Sequence, residues 1–210
     1  MIDLYTWSTP NGRKISILLE ELGVDYNVIP INITKKQQYT EEFLQISPNN
    51  KIPAIFDYEN NVSMMESGAI MMYLAEKYNK FIPKNNTERL KCIEWLNFQT
   101  SSQGPMLGQA HHFLKFNKGK SEYAEKRYHI EAERLYKVIN TQLKSNEYLS
   151  GNEYTIADIA TWPWIARFEW HQVELNKYKY VANWYTKISS REAVQKGYDL
   201  PSIGASIPKV

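Results

Sequence analysis

The sequence predicts an α/β N-terminal domain followed by an all-α C-terminal domain. Up to about residue 80, short apolar runs of the kind found in strands alternate with segments of helical spacing. Beyond about residue 87, apolar residues recur almost only at helical spacing. Between the two patterns, residues 79–86 contain Pro83 and several Asn and Lys residues, which is typical of a linker. The expected domains are therefore 1–80 and 87–210.

The first part of the N-terminal domain reads strand, helix, strand. Residues 2–5 form a short apolar run, and residues 12–22 carry apolar side chains at helical spacing up to Gly23, a helix stop signal. A second strand is expected around residues 26–31. Pro30 lies within it and cannot donate a backbone hydrogen bond, so this strand should lie at a sheet edge.

The second part reads helix, strand, strand, helix. Thr40 is expected to cap a short helix, and residues 53–57 and 62–65 are expected to pair as a hairpin. An amphipathic helix should then cover residues 67–78. The order βαβ followed by αββα is that of a thioredoxin-like domain with a mixed sheet, although periodicity does not give the strand order.

The C-terminal domain begins with a long helix that Thr87 can cap, and Gly104-Pro105 and Gly108 should bend or interrupt it. Further helices are expected at residues 121–143 and 178–189. Between them, a helix opens on the capping-box arrangement of residues 155–158. The helix at 178–189 is the last clear one, and the tail after Pro201 should be irregular.

Composition excludes several classes of protein. The formal charge of +2 over 210 residues, with no long basic run, argues against nucleic acid as the main partner. No apolar run approaches the length of a membrane span, and no signal peptide is visible. The single cysteine, Cys92, rules out an internal disulfide and fits a reducing compartment. We therefore expect a cytoplasmic protein without membrane or nucleic-acid partners.

Residues 47–55 and 66–70 are the most informative about ligand binding. They read as a loop, a proline-led strand, a hairpin and a helix that opens on Glu66 and Ser67. An exposed strand edge can pair with a peptide backbone, and a helix N-terminus offers N–H groups and a positive dipole end to a carboxylate. Because an acid beside that terminus can hold an amine, the segment suits a small peptide ligand.

Four segments together carry a resemblance to a known family: residues 9–12 (Thr-Pro-Asn-Gly), 46–55, 66–70 and 104–109. The chain resembles the bacterial nu-class glutathione transferases, and it is similar to the glutathione-binding domain of the yeast nitrogen-regulator prion protein. The resemblance covers nearly the whole chain and weakens after about Ser190. It implies the glutathione transferase fold, with a thioredoxin-like N-terminal domain, a helical C-terminal domain and a two-fold homodimer.

The resemblance also implies an activity. It points to a glutathione-dependent disulfide-bond oxidoreductase that reduces small disulfides, with weak transferase and peroxidase activity. Glutathione, reduced or oxidised, would be the substrate, with up to two molecules per site and no metal. Two alternatives stay open: a conventional transferase that conjugates electrophiles, and a non-catalytic glutathione-binding regulatory module.

Residues 9–12 occupy the place where redox thioredoxin-like proteins carry Cys-x-x-Cys, so the thiol must come from the ligand. The Thr9 hydroxyl, the Asn11 amide and the helix dipole can all stabilise a bound thiolate, and we assign Thr9 and Asn11 as the catalytic residues. A free thiol is only about 3% ionised at pH 7, and lowering its pKa by roughly 1.5 units needs about 2 kcal/mol. Two charge-assisted hydrogen bonds can supply that energy.

Other interpretations of this segment remain. Residues 9–12 are also an ordinary turn with a helix cap, since all four residue types favour turns. Ser8 and Tyr5 are rival donors, because other glutathione transferases use serine or tyrosine on the sulfur. Tyr5 lies inside the predicted strand, which favours a packing role.

Further ligand residues are implied by the resemblance. Ile52-Pro53 should have a cis peptide bond and present the Ile52 backbone to the cysteinyl unit, with Lys51 beside it. Ser67 should bind the γ-glutamyl carboxylate and Glu66 the amine, although the two residues also read as a simple helix start.

Two more distant positions match family ligand residues. Gln38 should contact the ligand backbone, and Arg127 should reach the ligand from the helical domain, within the subunit or across the dimer. On sequence alone both read as solvated surface residues. The pair His111-His112 is a poor metal site, because adjacent helix positions face different directions and no Cys or Glu stands at ligand spacing.

Overall fold

The computed structural model describes all 210 residues and divides into two compact units. Unit 1 consists of Met1–Lys80 together with Ser190–Ile207, and unit 2 consists of Phe81–Ser189 with Pro208–Val210. The division expected from sequence, 1–80 and 87–210, does not assign Ser190–Ile207 to the first unit.

A four-stranded mixed sheet forms the centre of unit 1. Its strands are β1 (Ile2–Thr6), β2 (Tyr26–Pro30), β3 (Ala54–Asp57) and β4 (Val62–Met65), in the spatial order β2-β1-β3-β4. β1 is parallel to β2 and antiparallel to β3, and β3 and β4 form an antiparallel hairpin. β2 is an edge strand, which confirms the position inferred from Pro30.

Three helices of unit 1 pack around this sheet: α1 (Pro10–Leu22) between β1 and β2 in the sequence, α2 (Glu41–Ile46) between β2 and β3, and α3 (Ser67–Tyr78) after β4. α1 ends at Gly23, and Thr40 caps α2 by accepting the Phe43 N–H, both as predicted. α1 packs against α3 and buries Ile15, Ile17, Leu18 and Leu19 almost completely. Each such side chain contributes about 1.5–3 kcal/mol on burial.

Unit 2 is helical. It contains α4 (Asn86–Phe98), α5 (Gly104–Ala110), α6 (Glu122–Leu143), α7 (Ile156–Ile165) and α8 (Lys179–Ser189). The π-helical segments Gln99–Gln103 and His111–Phe116 flank α5, so the interruption predicted near Gly104-Pro105 takes the form of wider helical turns.

The start of α4 differs from the expectation. Asn85 accepts hydrogen bonds from the N–H groups of Thr87 and Glu88 at 2.9 and 3.3 Å, so Asn85 and not Thr87 is the cap. Asn is at least as good a cap as Thr, and its position two residues earlier lengthens the helix.

The capping box of α7 is confirmed. Thr155 and Asp158 cap the helix reciprocally, and the buried Asp158 carboxylate also accepts from the Leu149 N–H and the Trp184 indole N–H, both at 2.9 Å. Burial nevertheless raises the pKa of Asp158 to about 6. This carboxylate ties α7 to α8 and to the preceding loop.

The last helix, α9 (Glu192–Tyr198), belongs to unit 1 and was not predicted. It lies so close to α1 that a Cβ on Gly197 would stand 2.6 Å from the Ile17 Cα atom. Ser16 Oγ donates to the Gly197 carbonyl at 2.6 Å, and Arg13 Nε donates to the Tyr198 carbonyl at 2.8 Å. α9 therefore completes the packing around α1.

Candidate functional site

A cleft of about 260 Å³ opens in unit 1 where three chain segments meet. They are the start of α1, the loop between α2 and β3, and the junction of β4 with α3. The lining residues are Asn11, Ser47, Asn49, Lys51, Ile52, Pro53, Met65, Glu66 and Ser67. The cleft thus brings together six residues that the sequence assigned to the ligand: Asn11, Lys51, Ile52, Pro53, Glu66 and Ser67.

The loop before β3 is held by its own hydrogen bonds. Ser47 Oγ donates to the Lys51 carbonyl at 2.8 Å, and the Asn50 N–H donates to the Ser47 carbonyl at 2.9 Å. The Ile52–Pro53 peptide bond is cis, as predicted. Ser47 is fully buried, so this turn is anchored to the domain and presents Lys51 and Ile52 at the cleft.

The N-terminus of α3 forms the opposite side of the cleft. Glu66 precedes the helix with φ 67° and ψ 110°, a backbone conformation that non-glycine residues rarely adopt. Its side chain makes no capping hydrogen bond, so it does not occupy the first-turn N–H groups. Glu66 Oε1 accepts from Asn49 Nδ2 at 3.3 Å. The free helix end favours an anion, and the carboxylate beside it favours a cation.

Thr9 is the N-cap of α1. Its Oγ1 accepts the Gly12 N–H at 3.1 Å, and the hydroxyl proton remains able to donate to another group. No acidic residue lies in the first turn of α1, so the positive end of the helix is not neutralised by its own side chains. Asn11, two residues on, lines the cleft.

Gly12 is required by close packing. A Cβ at this position would lie 2.2 Å from the Trp7 carbonyl oxygen and 2.4 Å from Thr6 Oγ1. Only glycine therefore lets α1 begin directly against the end of β1, with Asn11 of its first turn at the cleft.

The rival donors have other contacts. Ser8 Oγ accepts from Arg13 Nη2 at 2.8 Å. Tyr5 packs its ring against Phe43, with centroids 6.2 Å apart, next to the apolar cluster of Ile31, Phe43 and Ala54. These contacts agree with a packing role for Tyr5.

Three predicted ligand residues, Thr9, Gln38 and Arg127, do not line this cleft. Gln38 lies in the short 3₁₀ helix Gln37–Tyr39. Arg127 lies on α6 in unit 2, where it borders a separate hollow of about 570 Å³ with Met106, Tyr123 and Tyr128.

Lys14 was missed by the sequence analysis. It is 2% exposed, and its Nζ donates to Ser67 Oγ at 3.1 Å. Burial lowers the pKa of Lys14 to about 7, although the nearby Glu66 carboxylate acts in the opposite direction. The available signal was its place one helical turn after Asn11, but a lysine at such a position is usually solvated.

The histidines and the cysteine lie in unit 2. His111 is buried between aromatic rings, whereas His112 is exposed beside Asn117, so the adjacent pair does not converge. No group of three or more His, Cys, Asp or Glu side chains is arranged to hold a metal ion. Cys92 is fully buried, and burial raises the pKa of its thiol.

Comparison with known proteins identifies the family. A model described as the glutathione S-transferase N-terminal domain matches residues 1–76, and one for the C-terminal domain matches residues 104–192. The chain belongs to the glutathione S-transferase family. It is 46% identical over 198 residues to the disulfide-bond oxidoreductase YfcG of Escherichia coli, with 92% of each chain covered. The family and fold predicted from the sequence are thus confirmed.

Two solved structures of this family are similar in fold. A glutathione transferase from Burkholderia graminis, with two glutathione molecules bound per subunit, matches with a TM-score of 0.91 at 36% identity. The match covers 97% of this chain and 89% of that chain. One from Pseudomonas putida, with one glutathione disulfide bound per subunit, gives a TM-score of 0.90 at 36% identity. The match covers 96% of this chain and 92% of that chain.

None of the helices combines the length and the apolar character that a membrane span requires.

Proposed function

We propose that this glutathione S-transferase is a glutathione-dependent disulfide-bond oxidoreductase that acts on small disulfides. The observation that carries the proposal is the absence of a usable protein thiol. The start of α1 holds residues 9–12 instead of a redox cysteine pair, and Cys92 is fully buried in the other unit. The reactive sulfur therefore comes from the tripeptide, and two relatives carry glutathione or its disulfide.

The reaction balances with two molecules of glutathione. A glutathione thiolate attacks one sulfur of the substrate disulfide, which forms a mixed disulfide and releases a thiolate that takes up a proton. A second glutathione thiolate attacks the glutathione sulfur of the mixed disulfide, which releases the second substrate thiol. The products are two thiols and oxidised glutathione.

The protein residues supply binding and ionisation. Ser67 and the free N–H groups of α3 hold the γ-glutamyl carboxylate, and Glu66 holds the amine. Lys51, Ile52 and Pro53 hold the peptide backbone. Thr9 and Asn11 donate to the sulfur at the positive end of α1, which lowers the thiol pKa.

Gln38 and Arg127 stay in the proposal as outer contacts. They do not line the cleft of unit 1. Each should affect affinity for the ligand more than ionisation of the sulfur.

The test combines binding with turnover. The purified protein should be retained on glutathione resin and should reduce hydroxyethyl disulfide with glutathione as the electron donor. Retention without turnover would favour a regulatory binding module. Conjugation of an aryl halide much faster than disulfide reduction would favour a conventional transferase.

The proposal extends to assembly and location. The resemblance points to a homodimer, which sedimentation equilibrium at micromolar concentration can test. A single, buried cysteine fits the reducing cytoplasm. Fractionation of cells that produce the protein can test that location.

A further inference from the structure

Lys14 is a charged side chain buried beside the cleft without belonging to its surface. It lies in the first turns of α1, which packs against α3, and it is 2% exposed. Its Nζ donates to Ser67 Oγ at 3.1 Å. Ser67 is the first residue of α3 and lines the cleft. Lys14 is thus hydrogen-bonded to a residue that lines the cleft, without lining the cleft itself.

Burial and a nearby carboxylate act in opposite directions on the protonation of Lys14. Desolvation by burial disfavours the ammonium form of Lys14 and outweighs the carboxylate of Glu66, which favours that form. As a result the pKa of Lys14 falls to about 7, and the side chain is close to half protonated at neutral pH. A new negative charge near a buried amine raises the pKa of that amine strongly, because the charges interact in a region of low dielectric constant.

The Ser67 hydroxyl can connect Lys14 to a ligand. A hydroxyl oxygen accepts from one donor while its proton donates to another acceptor. With Lys14 donating to Ser67 Oγ, the hydroxyl proton is left for an acceptor in the cleft. Hydrogen bonds in such a chain polarise and strengthen one another.

We propose that Lys14 is a positioning residue that acts through the Ser67 hydroxyl on the γ-glutamyl carboxylate of glutathione and takes up a proton when that carboxylate binds. This inference rests on the proposed function, because it requires glutathione in the cleft. The ligand carboxylate adds a negative charge to that of Glu66 on the cleft side of Ser67, and it acts on Lys14 through the Ser67 hydroxyl. Glu66 is then free to pair with the ligand amine.

Ligand binding and protonation of Lys14 favour each other. A bound carboxylate favours the charged form of Lys14, so binding raises the pKa of Lys14 and the complex holds more protons than the free protein. By reciprocity, ligand affinity is highest when Lys14 is already protonated. For a pKa of about 7 in the free protein, affinity should be about tenfold weaker at pH 8 than at pH 6.

Calorimetry with S-methylglutathione tests the proposal, because this ligand has no thiol to titrate. Binding is measured at pH 7.0 in phosphate and in Tris, whose ionisation enthalpies differ, and the difference gives the protons exchanged. We expect an uptake of about half a proton per bound ligand. Binding without proton uptake would overturn the role of Lys14 and leave the proposed function standing, whereas no binding at any pH would contradict both.

Substitutions test whether the proton taken up on binding goes to Lys14. Lys14→Met should bind more weakly, with the uptake and the pH dependence lost, and Lys14→Arg should bind without uptake because its charge is permanent. Lys51→Met is the matched control: Lys51 lines the same cleft but is exposed, so its removal should weaken binding and keep the uptake. Uptake from the ligand amine would persist in Lys14→Met, and that result would contradict the proposal.

Discussion

The imidazole rings of His111 and His171 lie face to face, with centroids 4.7 Å apart and planes 9° apart. Both side chains are buried, and the Nε2 atom of each has no hydrogen-bond partner. Burial lowers the pKa of His111 to about 3 and that of His171 well below its ordinary value, and Arg167 acts in the same direction. The folded protein therefore holds this pair neutral.

The pair should make unit 2 sensitive to acid. An unfolded histidine binds a proton below about pH 6.5, and the folded one does not, so stability is full above that pH and falls as the pH drops. Between pH 7.5 and 5.0, His111 alone should lower the free energy of unfolding by about 2 kcal/mol. Asp158, whose pKa is raised to about 6, opposes this trend, since the folded state binds its proton more readily.

Urea unfolding of variants isolates the histidine contribution from that of Asp158. His111→Phe should show a smaller loss of stability between pH 7.5 and 5.0 than the wild type. His112→Phe, which alters an exposed neighbour, should keep the wild-type pH dependence. Equal pH dependence in all three proteins would contradict the assignment.

Thr9→Ala should lower disulfide reduction at least several-fold. The substitution removes the proposed donor to the sulfur and also the cap on the Gly12 N–H, which costs about 1 kcal/mol of stability. Thr9→Ser keeps both hydrogen bonds and should stay within about twofold of the wild type in a hydroxyethyl-disulfide assay. Turnover of Thr9→Ala at the wild-type rate would reject this donor and leave Ser8 as the alternative.

Gly12→Ala should destabilise the protein by more than 1 kcal/mol, because the new methyl group would overlap the Trp7 carbonyl oxygen. Gly108→Ala is a matched control within another helix. Its Cβ would meet Trp164 at an ordinary 3.5 Å, and alanine favours the helix by up to about 1 kcal/mol. Thermal unfolding of the two variants should therefore give shifts of opposite sign, and a stable Gly12→Ala variant would show that α1 can start elsewhere.

Glu66→Gly should separate binding from stability. The residue stands at φ 67°, where glycine is relaxed and glutamate is strained, so the free energy of unfolding should stay level or rise by about 1 kcal/mol. Affinity for glutathione should fall at least tenfold, since the partner of the ligand amine is lost. Glu66→Gln keeps the strain and loses the charge. If calorimetry found both variants binding as tightly as the wild type, Glu66 would have no role in holding the amine.

Local signals gave most of the fold. Gly23, Thr40 and the capping box at Thr155 end or begin helices where the sequence indicated, because each acts through neighbours a few residues away. The strand order β2-β1-β3-β4 depends on pairing between distant segments, which periodicity does not encode. Helix α9 was missed for a similar reason: it is short, contains Gly197 and gains its stability from packing on Ile17.

The cleft was predictable in part. Asn11, Ile52 and Glu66 stand in motifs whose residue types suit a peptide ligand, and the structure brings them together. Lys14 could not be recognised, because burial of its amine depends on how α1 and α3 pack. The sequence shows a lysine, and only the packing shows that water is excluded from it.

The contribution of residues 190–207 to unit 1 has a consequence for biosynthesis. A ribosome that has just completed the sheet and α3 must still translate residues 81–189, which takes roughly 5–20 s, before α9 emerges. Throughout that interval the side of α1 that includes Ile17 is uncovered in the nascent chain. Chaperones that bind apolar segments could bind that side of α1 during translation. A chain that ended near residue 189 would lack α9, and that side of α1 would stay exposed.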